Sequence, residues 1–180
     1  NSLKNWNSFL KQSFIHAPQI HVGLGWAIAQ EKHSDSYLSE IDPTMRFRVW
    51  DGCGYFDGTF RQRQTIKNQT KLEYVPEKDF PDYLQGLGRS LWYICKGDES
   101  KIPDLINNFL LAHHKNLWKG IGIACGYVGG CDEKRLQKLV ELSGEHKKEL
   151  GIGSKLVYDS RLEAGTLTED VSLACYIFNK

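Results

Sequence analysis

Apolar residues return with a helical period along most of the chain, and pairs of glycines mark the period most clearly. Gly-x-Gly occurs five times, at Gly23/Gly25, Gly52/Gly54, Gly86/Gly88, Gly120/Gly122 and Gly151/Gly153. The residue between the glycines is Leu24, Cys53, Leu87, Ile121 or Ile152, always apolar. Four positions on, one helical turn further along the same face, stand Ile28, Asp57, Leu91, Cys125 and Leu156. This is a buried helical stripe with one charged exception. Successive pairs lie roughly 30 residues apart, the length of a helix-turn-helix repeat. Glycine weakens a helix interior by about 1 kcal/mol relative to alanine, so two in each helix imply that neighbouring helices approach closely.

Helix-start and helix-stop residues punctuate the intervals. Asp42-Pro43 reads as the N-cap and first position of the second repeat helix. Asp98 can cap a segment whose Ile102, Leu105, Ile106 and Phe109 form an apolar face. Asp132 opens a helix with Leu136, Leu139, Val140 and Leu142 inward, ended by Gly144,. A last helix is predicted from about Thr168 to Phe178. Residues 63–79 form the least helical stretch, a polar connection with a short extended piece through Lys71 to Val75. The pattern predicts an all-α array of antiparallel helices from about five Gly-x-Gly repeats, a single domain over residues 1–180. It is loosely tetratricopeptide-like in stretches such as GLGRSLWYICKGDESKIPDLI,.

Composition narrows the function classes. The 180 residues are 41% hydrophobic and 25% charged, which excludes a disordered chain and a membrane bundle. With 23 basic against 22 acidic residues nothing in the charge points to nucleic acid, and no apolar run reaches membrane-spanning length. Five cysteines, an odd number without Cys-x-x-Cys spacing, read as reduced thiols and favour a cytoplasmic location. The first residue is not methionine, as in a processed, trimmed or partial chain.

Candidate chemistry follows from residues that break the repeat. Asp57 stands where the other repeats are apolar, so its carboxylate is expected to be buried, and either paired or used as acid or base. Arg89 occupies the position of Trp26, Tyr55, Ile123 and Ser154. It is suited to neutralise Asp57 or Asp51, or to clamp an anion. Asp51 also lies three residues after Arg48 and can pair with it on the helix surface. His21, with His16 ahead of the first Gly-x-Gly helix, offers an imidazole as acid or base. Neither its spacing nor that of His113-His114 is a metal-ligand signature. Gly52-x-Gly54-x-x-x-Gly58 lacks the βαβ context of a nucleotide loop, and nothing calls for a cofactor. Trp26, Trp50, Trp92, Trp118 and Tyr55 cluster around the glycines, as a core or as the lining of a ligand cavity.

Together HVGLGWA, DGCGYFDGTF, QGLGRSLW and LWKGIGIACGYVGG resemble an uncharacterised bacterial family, a domain of unknown function whose members occur in enediyne biosynthetic gene clusters. The resemblance runs from about His16 to Phe178 and marks, among others, His21, Asp51, Arg89, Trp92 and Trp118. The chain is similar to the C-terminal part or a short form of that family. It carries Phe56 where the family has a histidine and Asp57 where it has a glutamate. The resemblance implies a place accessory to polyketide or enediyne assembly. Two functions are therefore expected. One is an accessory protein that binds a partner protein of the pathway or a small hydrophobic intermediate. The other is a cofactor-independent tailoring enzyme using Asp57 or Asp51 and His21, with Arg89 as anion stabiliser. Convergence of Asp57, His21 and Arg89 on one pocket separates them.

Overall fold

The structure is a computed structural model, and it describes residues 5–32, 38 and 41–180. Nine α-helices are formed among the described residues: α1 (Trp6–Gln12), α2 (Ala17–Glu31), α3 (Arg46–Phe60), α4 (Phe80–Ile94), α5 (Ile102–Asn107), α6 (Leu111–Val128), α7 (Glu133–Ser143), α8 (Lys147–Glu163) and α9 (Glu169–Asn179). No strand occurs among these residues. Lys71 to Val75 is coil and turn, and residues 63–67 make a single π-helical turn. The caps act as the sequence predicts. Asp42 accepts from the Thr44 amide at 2.8 Å, Asp98 from Ser100 at 3.1 Å and Asp132 from Arg135 at 2.9 Å. The first two open short 3₁₀ turns that run on into α3 and α5, satisfying amides a helix start would otherwise leave unpaired.

The five Gly-x-Gly helices α2, α3, α4, α6 and α8 form one row, each packed on the next. They run parallel to one another, not antiparallel as the sequence suggests. Helix starts lie beside helix starts: Arg46 pairs with Asp79, Phe80 meets His113 with ring centroids 5.5 Å apart, and His114 meets His146 at 5.9 Å. The physical reason is the connections. Each Gly-x-Gly helix is followed by a return segment long enough to bring the chain back before the next begins, whereas antiparallel neighbours need only a short loop. Helices α5 and α7 lie on such return segments.

Glycines set the spacing of the row. At each interface a glycine on one helix faces the carbonyl of the residue three before a glycine on its neighbour, and the relation is reciprocal. Gly25 faces Val49 while Gly52 faces Val22, and Gly54 faces Tyr83 while Gly86 faces Asp51. Gly88 faces Leu117 while Gly120 faces Gln85, and Gly122 faces Leu150 while Gly153 faces Lys119. In α8 the glycine that meets the preceding helix is thus Gly153, so its register is two residues later than the sequence alignment of the pairs implies. Gly151 packs instead on Phe178 and Asn179 of α9, which closes the end of the row.

The row has two unlike faces. The residues between the glycines (Cys53, Leu87 and Ile121) turn to one side and join Trp50, Leu91 and Leu117 in the main core. The return layer covers that side with Ile102, Ile106 and Phe109 and then Leu136 and Leu139. The other face is left open to form a cavity.

Candidate functional site

The cavity measures about 330 Å³, and among the described residues only the five parallel helices line it. Helix α2 contributes Gln19 and Val22, α3 Phe47, Arg48 and Asp51, α4 Gln85, Arg89 and Tyr93, α6 Ile123 and Tyr127, and α8 Leu156 and Val157. The repeat explains the set. Residues just before the first glycine (Val22, Asp51, Gln85) and just after the second (Arg89, Ile123) share one face of consecutive helices. With the shifted register of α8, Leu156 rather than Ser154 is the counterpart of Arg89.

A polar cluster sits at one end of this apolar wall. Asp51 is buried and is not paired with Arg48. Its Oδ1 accepts from Arg89 and its Oδ2 from Gln85 Nε2 at 2.6 Å. The carboxylate reaches across to α4 because the Gly54/Gly86 contact brings the two helices together there. The Arg89 guanidinium also lies over Tyr55, 4.6 Å from the ring centroid. Burial works against its charge, and the Asp51 carboxylate outweighs burial and holds the group above its usual range,. Tyr93 is pushed up to about 12 by burial and by Tyr55 beside it. Gln19 Nε2 donates to Tyr127 Oη at 3.0 Å and to Ser160 Oγ at 3.2 Å.

The candidate catalytic residues do not converge. Asp57 lies on the core side, fully buried, where Arg61, the Tyr74 hydroxyl at 2.5 Å and the Tyr83 hydroxyl at 2.9 Å donate to it. Arg89 and Asp51 share the cavity. His21 is buried elsewhere, its Nδ1–H donating to the Ala17 carbonyl at 2.7 Å and the Trp6 ring edge-on at 5.2 Å. The aromatic expectation fails in a similar way. Trp50, Trp92 and Trp118 are buried in the main core, Trp26 packs on Tyr55, Phe56 and Phe60, and Tyr55 lies behind the lining residues Arg89 and Tyr93. The ring-bearing walls are Phe47, Tyr93 and Tyr127. Gln85 and Arg48 were missed because the register carries no signal for them: Gln19, Asp82, Asn116 and Lys147 stand at the position of Arg48 in the other repeats, and Asp51 and Lys119 are among those at the position of Gln85.

Burial of His21 has a measurable consequence. Desolvation holds its imidazole below the ordinary value of 6.5, against the Ala17 hydrogen bond and with the Arg48 charge acting in the same direction as burial; Asp42 acts weakly the other way. His113 is likewise depressed by burial and by His114. The unfolded chain therefore takes up protons first as pH falls, so stability is full above about 6.5 and declines as pH drops from there toward the folded values. The urea midpoint at pH 5.5 is expected to be lower than at pH 7.5, with a smaller difference in His21→Gln. A midpoint equal at the two pH values would contradict this.

Among the described residues no group of three or more His, Cys, Asp or Glu side chains is placed to hold a metal ion, and no helix is long and apolar enough to cross a membrane. All five cysteines are free thiols. No curated protein and no solved structure matches the chain. A family model described as protein of unknown function (DUF1702) matches residues 4–180, and the chain belongs to that family.

Proposed function

We propose that the protein is a binding protein for a small, largely apolar molecule, accessory to a biosynthetic pathway of the polyketide or enediyne type. The observation that carries this reading is the cavity: all five parallel helices contribute to its wall, and its volume lies within the range of small-molecule sites, about 300–1,000 Å³,. Val22, Phe47, Ile123, Leu156 and Val157 make most of its lining apolar, and the Asp51–Arg89–Gln85 cluster is already bonded within itself. A carboxylate locked to a guanidinium and an amide is a poor general base. The enzyme reading requires Asp57, His21 and Arg89 on one substrate, and these face separate surroundings, so binding is favoured. Free cysteines fit a reducing, cytoplasmic setting,.

Filling the cavity tests the proposal. The neutral fluorophore N-phenyl-1-naphthylamine is expected to bind the wild-type protein with one-to-one stoichiometry. Leu156→Trp, which projects an indole into the same space from a half-buried position, is expected to weaken it at least ten-fold while leaving the circular-dichroism melt cooperative. Equal binding by the two proteins, or none by the wild type, would rule the cavity out as the site.

A further inference from the structure

On the reading that this cavity holds a ligand, we propose that the ligand is a monoanionic carboxylic acid whose head is received by Arg48 and the Tyr127 hydroxyl, with its apolar body along Ile123 and Leu156. The argument begins with unequal charges. Arg48 and Arg89 bring two guanidinium groups to the cavity and Asp51 brings one carboxylate. Both oxygens of that carboxylate are committed, Oδ1 to Arg89 and Oδ2 to Gln85. Nothing is left for Arg48, which makes no ion pair and donates no hydrogen bond among the described residues. Its Nε is sealed from solvent without an acceptor; the Phe47 ring lies 5.0 Å from the guanidinium carbon, and Asp51, Glu163 and Arg89 act on its charge without pairing with it.

A half-buried cation without an acceptor is unfavourable in the free protein, and burial lowers the pKa of Arg48 accordingly. An anionic ligand group supplies what is missing. Tyr127 adds a second donor at the same end. Its oxygen accepts from Gln19, while its own O–H donates to no protein atom among the described residues. Two donors without protein acceptors at this end select an anion; the buried acceptor left without a partner, Gln85 Oε1, belongs to the amide whose Nε2 serves Asp51. The planar guanidinium fork accepts two oxygens of a carboxylate or a phosphate alike, and charge favours a carboxylate over a phosphate monoester. The surplus in the cavity is one charge, whereas a phosphate monoester carries about −1.5 to −2 at neutral pH.

Titration calorimetry at pH 7.5 with octanoate and with octan-1-ol separates head from body. The wild type is expected to bind octanoate at least ten-fold more tightly than the alcohol. Arg48→Met is expected to remove that preference, leaving alcohol binding within two-fold and the melting temperature unchanged or raised. Tyr127→Phe is expected to weaken octanoate three-fold or more. If naphthylamine binds but octanoate binds no better than the alcohol, or Arg48→Met leaves the preference intact, the carboxylate inference is overturned while the binding cavity stands. If naphthylamine does not bind the wild type, the cavity reading fails and this inference with it.

Discussion

Gly86→Ala and Gly54→Ala are each expected to destabilise the protein by about 3 kcal/mol, at the upper end of overpacking costs, whereas Gly23→Ala is expected to stabilise it by about 0.5–1 kcal/mol. All three substitutions place the same methyl group in the middle of a helix, so helix propensity alone predicts stabilisation at each. What differs is the opposing surface. A Cβ on Gly86 would fall under 3.0 Å from the Asp51 carbonyl oxygen and the Tyr55 amide nitrogen, and one on Gly54 would meet the Tyr83 carbonyl as closely. Both neighbours are backbone inside helices and cannot swing aside, so α3 and α4 must separate along their length. Gly23 meets nothing within 4 Å among the described residues. For a chain of this size about 1 kcal/mol corresponds to about 2–4 °C in melting temperature. Thermal melts should therefore show losses of about 6–12 °C at positions 54 and 86 and a gain of about 1–4 °C at position 23. Similar melts for all three variants would mean that the glycines do not set the helix spacing.

Much of this was legible in the sequence. The glycine pairs, the apolar residue between them and the capping aspartates locate the helices and the face they bury. Helix direction was less accessible, because a glycine declares a close neighbour and not its orientation. The cue that bears on direction is the length of the return segments. The register of α8 is ambiguous in sequence because Gly151 and Gly153 can each be aligned with Gly120, and only the contact of Gly153 with Lys119 resolves it. Arg89 stood out as a charged group at a position that is mostly apolar or aromatic in the other repeats, and Asp51, one of the two partners expected for it, does meet it in the cavity. The tryptophans misled, since large rings beside glycines fill the core more readily than they line a cleft: Trp50 is fully buried, and the rings that do line the cavity come from Phe47, Tyr93 and Tyr127. The fate of Asp57 depends on Tyr74 and Tyr83, which lie 17 and 26 residues further along the chain and carry no local signal of a shared partner.

Asp57→Leu is expected to cost about 3–5 kcal/mol, the range for removing one partner from a buried ion pair, even though leucine is what the repeat has at that position in α4. The return layer explains the difference. After α4 and α6 the chain turns back through α5 and α7, whose Ile102, Ile106, Leu136 and Leu139 bury themselves in the core. After α3 the return segment has no α-helix of its own, only a π-helical turn, coil and a 3₁₀ turn at Glu77–Asp79, with Val75 as its one buried apolar residue. Asp57 anchors it by polar contacts. Its carboxylate accepts from Arg61 and Tyr74, its carbonyl accepts from the Thr65 hydroxyl at 3.2 Å, and Arg61 also holds the Ala29 carbonyl of α2 at 2.8 Å. Leucine would leave a guanidinium and two phenols without their acceptor in a space shaped for a smaller group. Asp57→Asn, which keeps the shape and loses the charge, is expected to fall between. Amide exchange should accelerate through residues 61–79 in Asp57→Leu well before it does in α6 or α8. Naphthylamine binding measured below the melting temperature should be unchanged, because Asp57 lies on the opposite face of the row from the cavity. A variant that melts like the wild type would show that the anchor is dispensable, and one that loses naphthylamine binding while still folded would connect the two faces.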